Sequence, residues 1–482
     1  MCGYRDYEDL DSIIFVVNTE ATTPGNATVY IPVHSYSSLA TVGRAQSGIY
    51  IDWGDGEFTD IKVNSAWVSD DWNREQRLHT YAEPGEYTVT LYVTDSTKCT
   101  IGREYKTLSP LWAETLVSIG PKDAPYYRLP KLREDAFDDA FMDCVHLTKI
   151  PVSLFTNNTH IVWFSNTFRG CSKITSIPQG TFLGMDKCEK FEGIFAGTGL
   201  SYISPINFLG LENVTSLNHT FQDCTKMVKI NEGVFAKMTK LYRAQSTFQG
   251  CTALTTLPSD LFAHNTELVD IVSCFWQCTS LETIPADLFA NNKKLENIGM
   301  AFSNCAALKK IPADLFKNSP AITAVFHTFF SCKALTAVPE GLFDSLVDLV
   351  EVTSAFAYCD NLATIPERLF ANNTKLKHAS NAFSATAIQT IPDDLFSYCP
   401  DLLDVSYTFS RCYDLLSIPS DIFANNPAIE DMQATFSALN GVSGPAPELW
   451  VTHADVKNHT GTFARSDKLS NWADIPVDWK TS

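Results

Sequence analysis

A phenylalanine returns every 27 residues along most of this chain, and few folds can accept that beat. It stands at 141, 168, 195, 221, 248, 275, 302, 329, 356, 383, 409, 436 and 463, with only two intervals shortened to 26. A second aromatic column closes an IPxxLF motif at 155, 182, 208, 235, 262, 289, 316, 343, 370, 396, 423 and 450, where only Trp450 is not Phe. The two columns take 24 of the chain's 31 Phe. Aliphatic columns run in register with them, as at Leu295 and Leu308. A fixed period of about 20 to 50 residues with apolar positions in register marks a solenoid. One coil cannot bury its apolar edge alone, so neighbours stack into a shared core.

The local signals within a coil are readable at residues 284–310. The ring of Pro285 holds Ile284 extended, which ends a strand. Pro285 suits a first helical position and Asp287 puts an acid in the first turn, so PADLFANN predicts a helix of about two turns. LENIGMAF, residues 295–302, reads as extended and stacks on its equivalents. The expected architecture is one continuous solenoid over residues 137–482, built from about thirteen α/β coils of 26 to 27 residues. With parallel strands about 4.8 Å apart, it would form a rod or arc of roughly 60 Å.

Nine of the 14 cysteines share one column: Cys144, Cys171, Cys224, Cys251, Cys278, Cys305, Cys332, Cys359 and Cys412. Cys188, Cys274 and Cys399 occupy other repeating positions. Zinc or redox chemistry would need CxxC pairs or Cys with His at ligand spacing, so these thiols read as small, reduced core residues. The two 26-residue intervals fall where Thr198 and Thr386 replace the column Cys, which ties that cysteine to a particular turn.

The AFxxCxxLxxIP pattern, seen at Ala301, Phe302, Cys305, Leu308, Ile311 and Pro312, resembles the BspA-like branch of leucine-rich repeats. The resemblance covers about 340 residues. An inserted PxxLFxxN segment departs from the commoner, shorter unit of that family, so the family's curvature is not carried over.

The first 108 residues differ in kind. IYIDWGDGEFTDI (49–61) and RLHTYAEPGEYTVTLYVTD (77–95) combine alternating strands with turn chemistry, and SIIFVV and ATVYIPV add further strands. An all-β immunoglobulin-like sandwich is expected. WGDG with HTYxxPGxYTVTL resembles a polycystic-kidney-disease (PKD) type domain. That resemblance implies structural roles for Asp52, Asp55 and His79, and no metal site is assigned. The division expected is a sandwich over 1–108, a connector and N-terminal cap over 109–136, and the solenoid over 137–482.

The net charge of -19, from 36 basic and 55 acidic residues, argues against nucleic acid or an anionic membrane as the main partner. The longest apolar run, Ile13–Val17, is too short to cross a bilayer. HExxH, GxSxG, GxGxxG and P-loop motifs are missing. His219 and His327 share a column but lie four coils apart, so an enzyme is not expected, nor any cofactor.

What remains is binding. The resemblance implies a cell-surface or secreted protein that captures a protein or glycan ligand and is expected to be monomeric. A spacer of the cell envelope without a ligand, or an accessory glycan-presenting module, are the alternatives. Binding residues should break a polar column without serving the core. Trp276 and Phe330 break the column after the repeat Phe, and Tyr358 breaks the next one a coil further on. Phe326 breaks a polar column just before the motif. Trp276, Phe330 and Tyr358 should fall within roughly 15 Å along one edge, positions that suit stacking on sugar rings or anchoring a protein. At the other end, Met1-Cys2-Gly3 is followed by Asp6, Glu8, Asp9 and Asp11. This resembles a mature outer-membrane lipoprotein of some Gram-negative anaerobes, with Cys2 the lipidation site and Met1 an addition. An ordinary thiol at Cys2 is the other reading.

Overall fold

The alternating apolar residues of the first hundred positions become strands: β1 (Asp11–Asn18), β2 (Thr28–Tyr30), β3 (Val33–Ser35), β4 (Gly48–Asp52), β5 (Phe58–Lys62), β6 (Leu78–Thr80), β7 (Glu86–Val93) and β8 (Cys99–Ile101). A short helix α1 (Pro110–Thr115) leads into β9 (Leu116–Ile119). Five of these form an antiparallel sheet in the order β5-β4-β7-β1-β9, while β2 pairs with β6 and β3 with β8. The computed structural model describes residues 10–20, 27–35, 48–62, 75–102, 110–122 and 124–481. They fall into two units, Met1–Thr225 and Lys226–Ser482.

In the first unit the strand-rich part closes the open end of the repeats. The first coil has no preceding coil to cover its Phe, and Phe15 of β1 meets Phe141 edge-on at 6.5 Å. Trp112 of α1 packs on Phe15 at 5.0 Å and donates its indole N–H to the carbonyl of Ala140 at 3.3 Å. Gly102 makes the approach possible: at φ +81° it lies so near Ala140 that a Cβ would sit 2.4 Å from its Cα. The WGDG and HTY segments lock onto one another. Trp53 stacks on His79 at 4.8 Å, Tyr81 donates its hydroxyl to the Trp53 carbonyl at 2.9 Å, and His79 Nε2 bonds Asp55 at 2.7 Å. Partial burial alone would raise the Asp55 pKa, but the His79 bond and the Glu57 N–H outweigh it and hold the carboxyl below its usual range. Further along, β10 (Trp163–Ser165) and β11 (Lys190–Glu192) pair in parallel.

The second unit shows the coil most clearly. Its bridging residue pairs in parallel with its equivalents in the next coils, Asp270 with Asn297, Asn297 with Ala324 and Ala324 with Glu351. Beyond that bridge the chain is not an ordinary strand. The N–H groups of Ile271, Ser273, Phe275 and Gln277 each donate 2.9 Å to the next coil, to Asn297, Gly299, Ala301 and Ser303. The N–H groups between them, on Cys274, Trp276 and Cys278, turn back to the carbonyls of Ile271, Ser273 and Phe275. Left-handed residues make the alternation possible. Two occur in each coil, two residues before and two after the repeat Phe: Ser273 and Gln277, Met300 and Asn304, His327 and Ser331, Ser354 and Tyr358. Each buried backbone group along this stretch thereby finds a partner.

The helix expected over residues 285–292 does not form. Leu288, Ala290 and Asn292 donate to Pro285, Asp287 and Phe289, a chain of i→i+3 turns, so the coils are not α/β coils. The reason is spacing. Rings of the second column stack 6.3 Å apart from Phe262 to Phe289 and 6.4 Å from Phe289 to Phe316. An α-helix with its side chains is about 10–12 Å across and cannot occupy so thin a layer. Asn292, fully buried, secures the turn instead by donating Nδ2 to the carbonyls of Phe262 and Asn265, and Asn265, Asn373 and Asn426 repeat the contact.

Both Phe columns are buried within each unit, Phe302 and Phe316 included. The thirteen described cysteines are free and buried. The column thiols donate to the carbonyl of a repeat Phe in the preceding coil, as Cys278 does to Phe248 at 3.1 Å and Cys332 to Phe302 at 3.2 Å. In the 26-residue coils Thr198 and Thr386 turn instead to the Phe carbonyl of their own coil, each at 2.8 Å. At the C-terminal end Ser466 takes the cysteine's place and bonds Phe436 at 2.7 Å. The last coil is covered by a short helix, Val477–Lys480, whose Trp479 accepts the N–H of Phe463 at its carbonyl and stacks on His459 at 4.6 Å.

Candidate ligand-binding site

On one side of the second unit, the bridging column and the columns flanking the repeat Phe form a ribbon of small and polar side chains. Ser380 bonds Ser406 and Ser410 bonds Ser437, hydroxyl to hydroxyl at 2.8 Å. Three acids of the bridging column serve the backbone: Asp270, Asp404 and Asp431 accept the N–H two residues on, from Val272, Ser406 and Gln433 at 2.8–3.0 Å. The aromatic residues interrupt this ribbon. Trp276, Phe326 and Phe330 are half-buried, and Tyr358 is exposed to 40%.

Phe330 and Tyr358, one coil apart, have ring centroids 5.2 Å apart at a 54° tilt. The left-handed backbone at His327 brings its ring edge-on to Phe326 at 4.1 Å and to Phe330 at 5.1 Å. The expected four residues therefore divide: Phe326, Phe330 and Tyr358 join one cluster through contacts of adjoining rings. Trp276 lies two coils before Phe330 in the same column, with Ser303, 4% exposed, between them. Val272 and Met300, both half-buried, occupy the flanking columns in those coils. Cys2 lies outside the described residues.

His327 was legible only as a column partner of His219, yet it is the residue through which Phe326 meets Phe330. Its Nδ1 is buried without a hydrogen-bond partner. Burial pushes its pKa below the usual imidazole value, opposed by the carboxylate of Glu351 in the next coil, so the ring is neutral at pH 7. Glu351 itself stands in the column of Asp270, Asp404 and Asp431. Its half-buried carboxylate accepts no hydrogen bond and forms no salt bridge among the described residues. Met300 and Val272 are visible in the sequence once several columns are read together, as departures from their neighbours, whereas Glu351 is not, because acids recur in its column.

Among the described residues no group of three His, Cys, Asp or Glu side chains is placed to hold a metal ion, and no helix is long and apolar enough to cross a membrane. The arrangement offers contact area and one unpaired charge.

A family model for the BspA type leucine-rich repeat region matches residues 166–353 and 282–430, with six copies, and so spans more than half of the chain. No curated protein matches. Solved structures similar to this chain include a TLR13–ssRNA13 complex, at 15% identity over 62% of this chain and 50% of that one, TM-score 0.32. A TDR receptor matches at 15% identity over 65% and 51%, TM-score 0.39. The leucine-rich repeat domain of APL1 matches at 14% identity over 55% and 77%, TM-score 0.33. The chain spans about half the length of the first two.

Proposed function

This chain belongs to the BspA-type leucine-rich repeat family, and from that premise we propose that it is a non-enzymatic binding protein of the cell surface or the extracellular space, whose ligand docks on the face marked by Trp276, Phe326, Phe330 and Tyr358. Leucine-rich repeat chains are in general protein-binding modules without catalytic activity, and BspA-type repeats are typical of surface proteins. The observation that carries the reading to this face is the partly exposed cluster of Phe326, Phe330 and Tyr358 in columns that are otherwise small or polar. Aromatic side chains that keep contact area free while already held by neighbours lose little entropy on binding and are the common anchors of interfaces.

The double variant Trp276→Ala, Phe330→Ala tests it. Hot-spot aromatics contribute about 2 kcal/mol or more each, so loss of both should weaken the ligand on the order of 1,000-fold. Protein and glycan arrays probed with the purified chain would supply the ligand. Unchanged binding by the variant would remove this face from consideration, and an array without a specific hit would favour the spacer.

The PKD-type reading of the strand-rich start belongs to the same proposal, supported by the interlocked WGDG and HTY segments. So does lipidation at Cys2. Mass spectrometry of protein purified from its native membrane should show a diacylated N-terminal cysteine, and an N-terminus without acyl chains would refute anchoring there.

A further inference from the structure

We propose that the ligand of this face is a polypeptide segment carrying an apolar side chain beside a Lys or Arg, the apolar group seated on Trp276, Met300 and Phe330 and the cation held by Glu351. The inference rests on the docking face proposed above and adds the chemistry of its occupant.

Glu351 is the key observation. The other acids of its column are explained by the backbone, each Asp accepting the N–H two residues on. Glu351 makes no such bond and has no ion-pair partner among the described residues, although Lys294, Lys309 and Lys375 elsewhere in the unit pair with acids of the preceding coil at 2.5–2.6 Å. A half-buried carboxylate beside aromatic rings loses water when a ligand covers it. An acidic or neutral ligand would leave that charge unpaired, whereas a cation restores its partner. The side chains around it are Ala324, Thr353, His327, which is neutral at pH 7, and His378, bridged to Glu351 in the next coil; neither imidazole forms a salt bridge or hydrogen bond with the carboxylate. The net charge of -19 adds long-range attraction for basic partners.

The apolar half of the site favours peptide over sugar. Sugar sites set a flat, open ring among side chains that bond hydroxyls. Here the ring of Phe330 is met edge-on by His327 and lies tilted against Tyr358, and the flanking residues are Val272, Met300 and Ala324. Such a surface fits aliphatic or aromatic side chains.

Three peptide sets of equal apolar content, flanked by Lys and Arg, by Ser, or by Glu, should be titrated against the full chain by fluorescence anisotropy. The basic set should bind at least about tenfold more tightly than the Ser set, and the Glu set more weakly still. Glu351→Gln should abolish the preference for basic peptides while leaving the affinity for the Ser set unchanged, and Glu351→Lys should reverse it towards the Glu set. Raising the salt from about 50 to about 500 mM should weaken basic peptides more on the native chain than on Glu351→Gln, where only the long-range attraction of the remaining net charge is screened. Equal affinity for all three sets, binding of glycans but of no peptide, or a preference that survives Glu351→Gln would overturn the inference. The docking face is judged separately, by the Trp276→Ala, Phe330→Ala variant.

Discussion

Raising the pH from 7 to 10, without denaturant, is expected to unfold the second unit of this protein and to weaken the first. The cause is the buried thiols. Burial pushes the pKa of Cys188, Cys224, Cys278 and Cys359 up to about 12 and that of Cys412 to about 11, with Cys144, Cys274, Cys305 and Cys332 also raised well above the ordinary 9.0. A group whose pKa is raised by folding stabilises the native state fully below its unfolded pKa. That contribution is lost as pH climbs from there towards the folded pKa. At pH 10 the unfolded thiols are mostly ionised and the folded ones are not, at about 1.4 kcal/mol for each. Six of these thiols lie in the second unit and three in the first, so the loss is about 8 kcal/mol in the second, comparable with the whole stability of an ordinary domain, and about 4 kcal/mol in the first. Tyr127, its hydroxyl pushed to about 12 by burial, acts in the same direction. Deprotonation of the lysines in exposed pairs such as Lys294–Glu267 matters less, since each such pair contributes about 1 kcal/mol at most.

Near-ultraviolet circular dichroism between pH 7 and 11, under reductant and at constant ionic strength, should show a cooperative transition near pH 10. The discriminating variant is Cys305→Ser, Cys332→Ser. Ser466 already fills the equivalent position with a hydroxyl that bonds the Phe436 carbonyl, so the geometry accepts serine. Serine does not ionise here, and the transition should move to higher pH. A native spectrum retained at pH 10.5, or an unmoved midpoint in the variant, would show that thiol burial does not control the acid–base stability.

The parts of the molecule legible in the sequence are those where one residue type does one job in every coil. Phe302 and its equivalents have no alternative to the core, so period alone located them. The turns were harder. Pro285, Asp287 and Leu288 are good helix-starting residues, and only the layer thickness set by the stacked rings excludes the helix. The left-handed positions carry a signal in Asn166, Gly170, Gly193, Gly197 and Gly250, but Met300, His327 and Tyr358 obscure it by adopting the same backbone at a cost of about 1–2 kcal/mol each. Of the candidate site, the aromatics were visible because each breaks a column. His327 and Glu351 were not, because their meaning depends on neighbours in two other coils. Trp479 follows no column at all, and its stacking against the last coil comes only from the chain folding back.

Phe302→Ala should cost about 3 to 5 kcal/mol of stability, the usual range for emptying a buried phenylalanine. Its ring is fully buried between Phe275 at 5.4 Å and Phe329 at 5.7 Å, nearly parallel to both, so no side chain can swing in to refill the space. Its N–H donates to Thr328 and its carbonyl accepts the Cys332 thiol, which hold the backbone in place and keep the cavity from collapsing. Because each coil is stabilised by its neighbours, the damage should be local before it is global, with amide exchange accelerating first in residues 275–329. The informative comparison is Phe330→Ala, which removes the same side chain from a half-buried position on the candidate face. It should cost no more than about 1.5 kcal/mol, since the ring keeps part of its surface in water and no closed cavity remains. Urea unfolding of the two variants beside the native chain measures both. Equal losses would mean that Phe330 is a core residue, and the face, with the ligand proposed for it, would have to be given up.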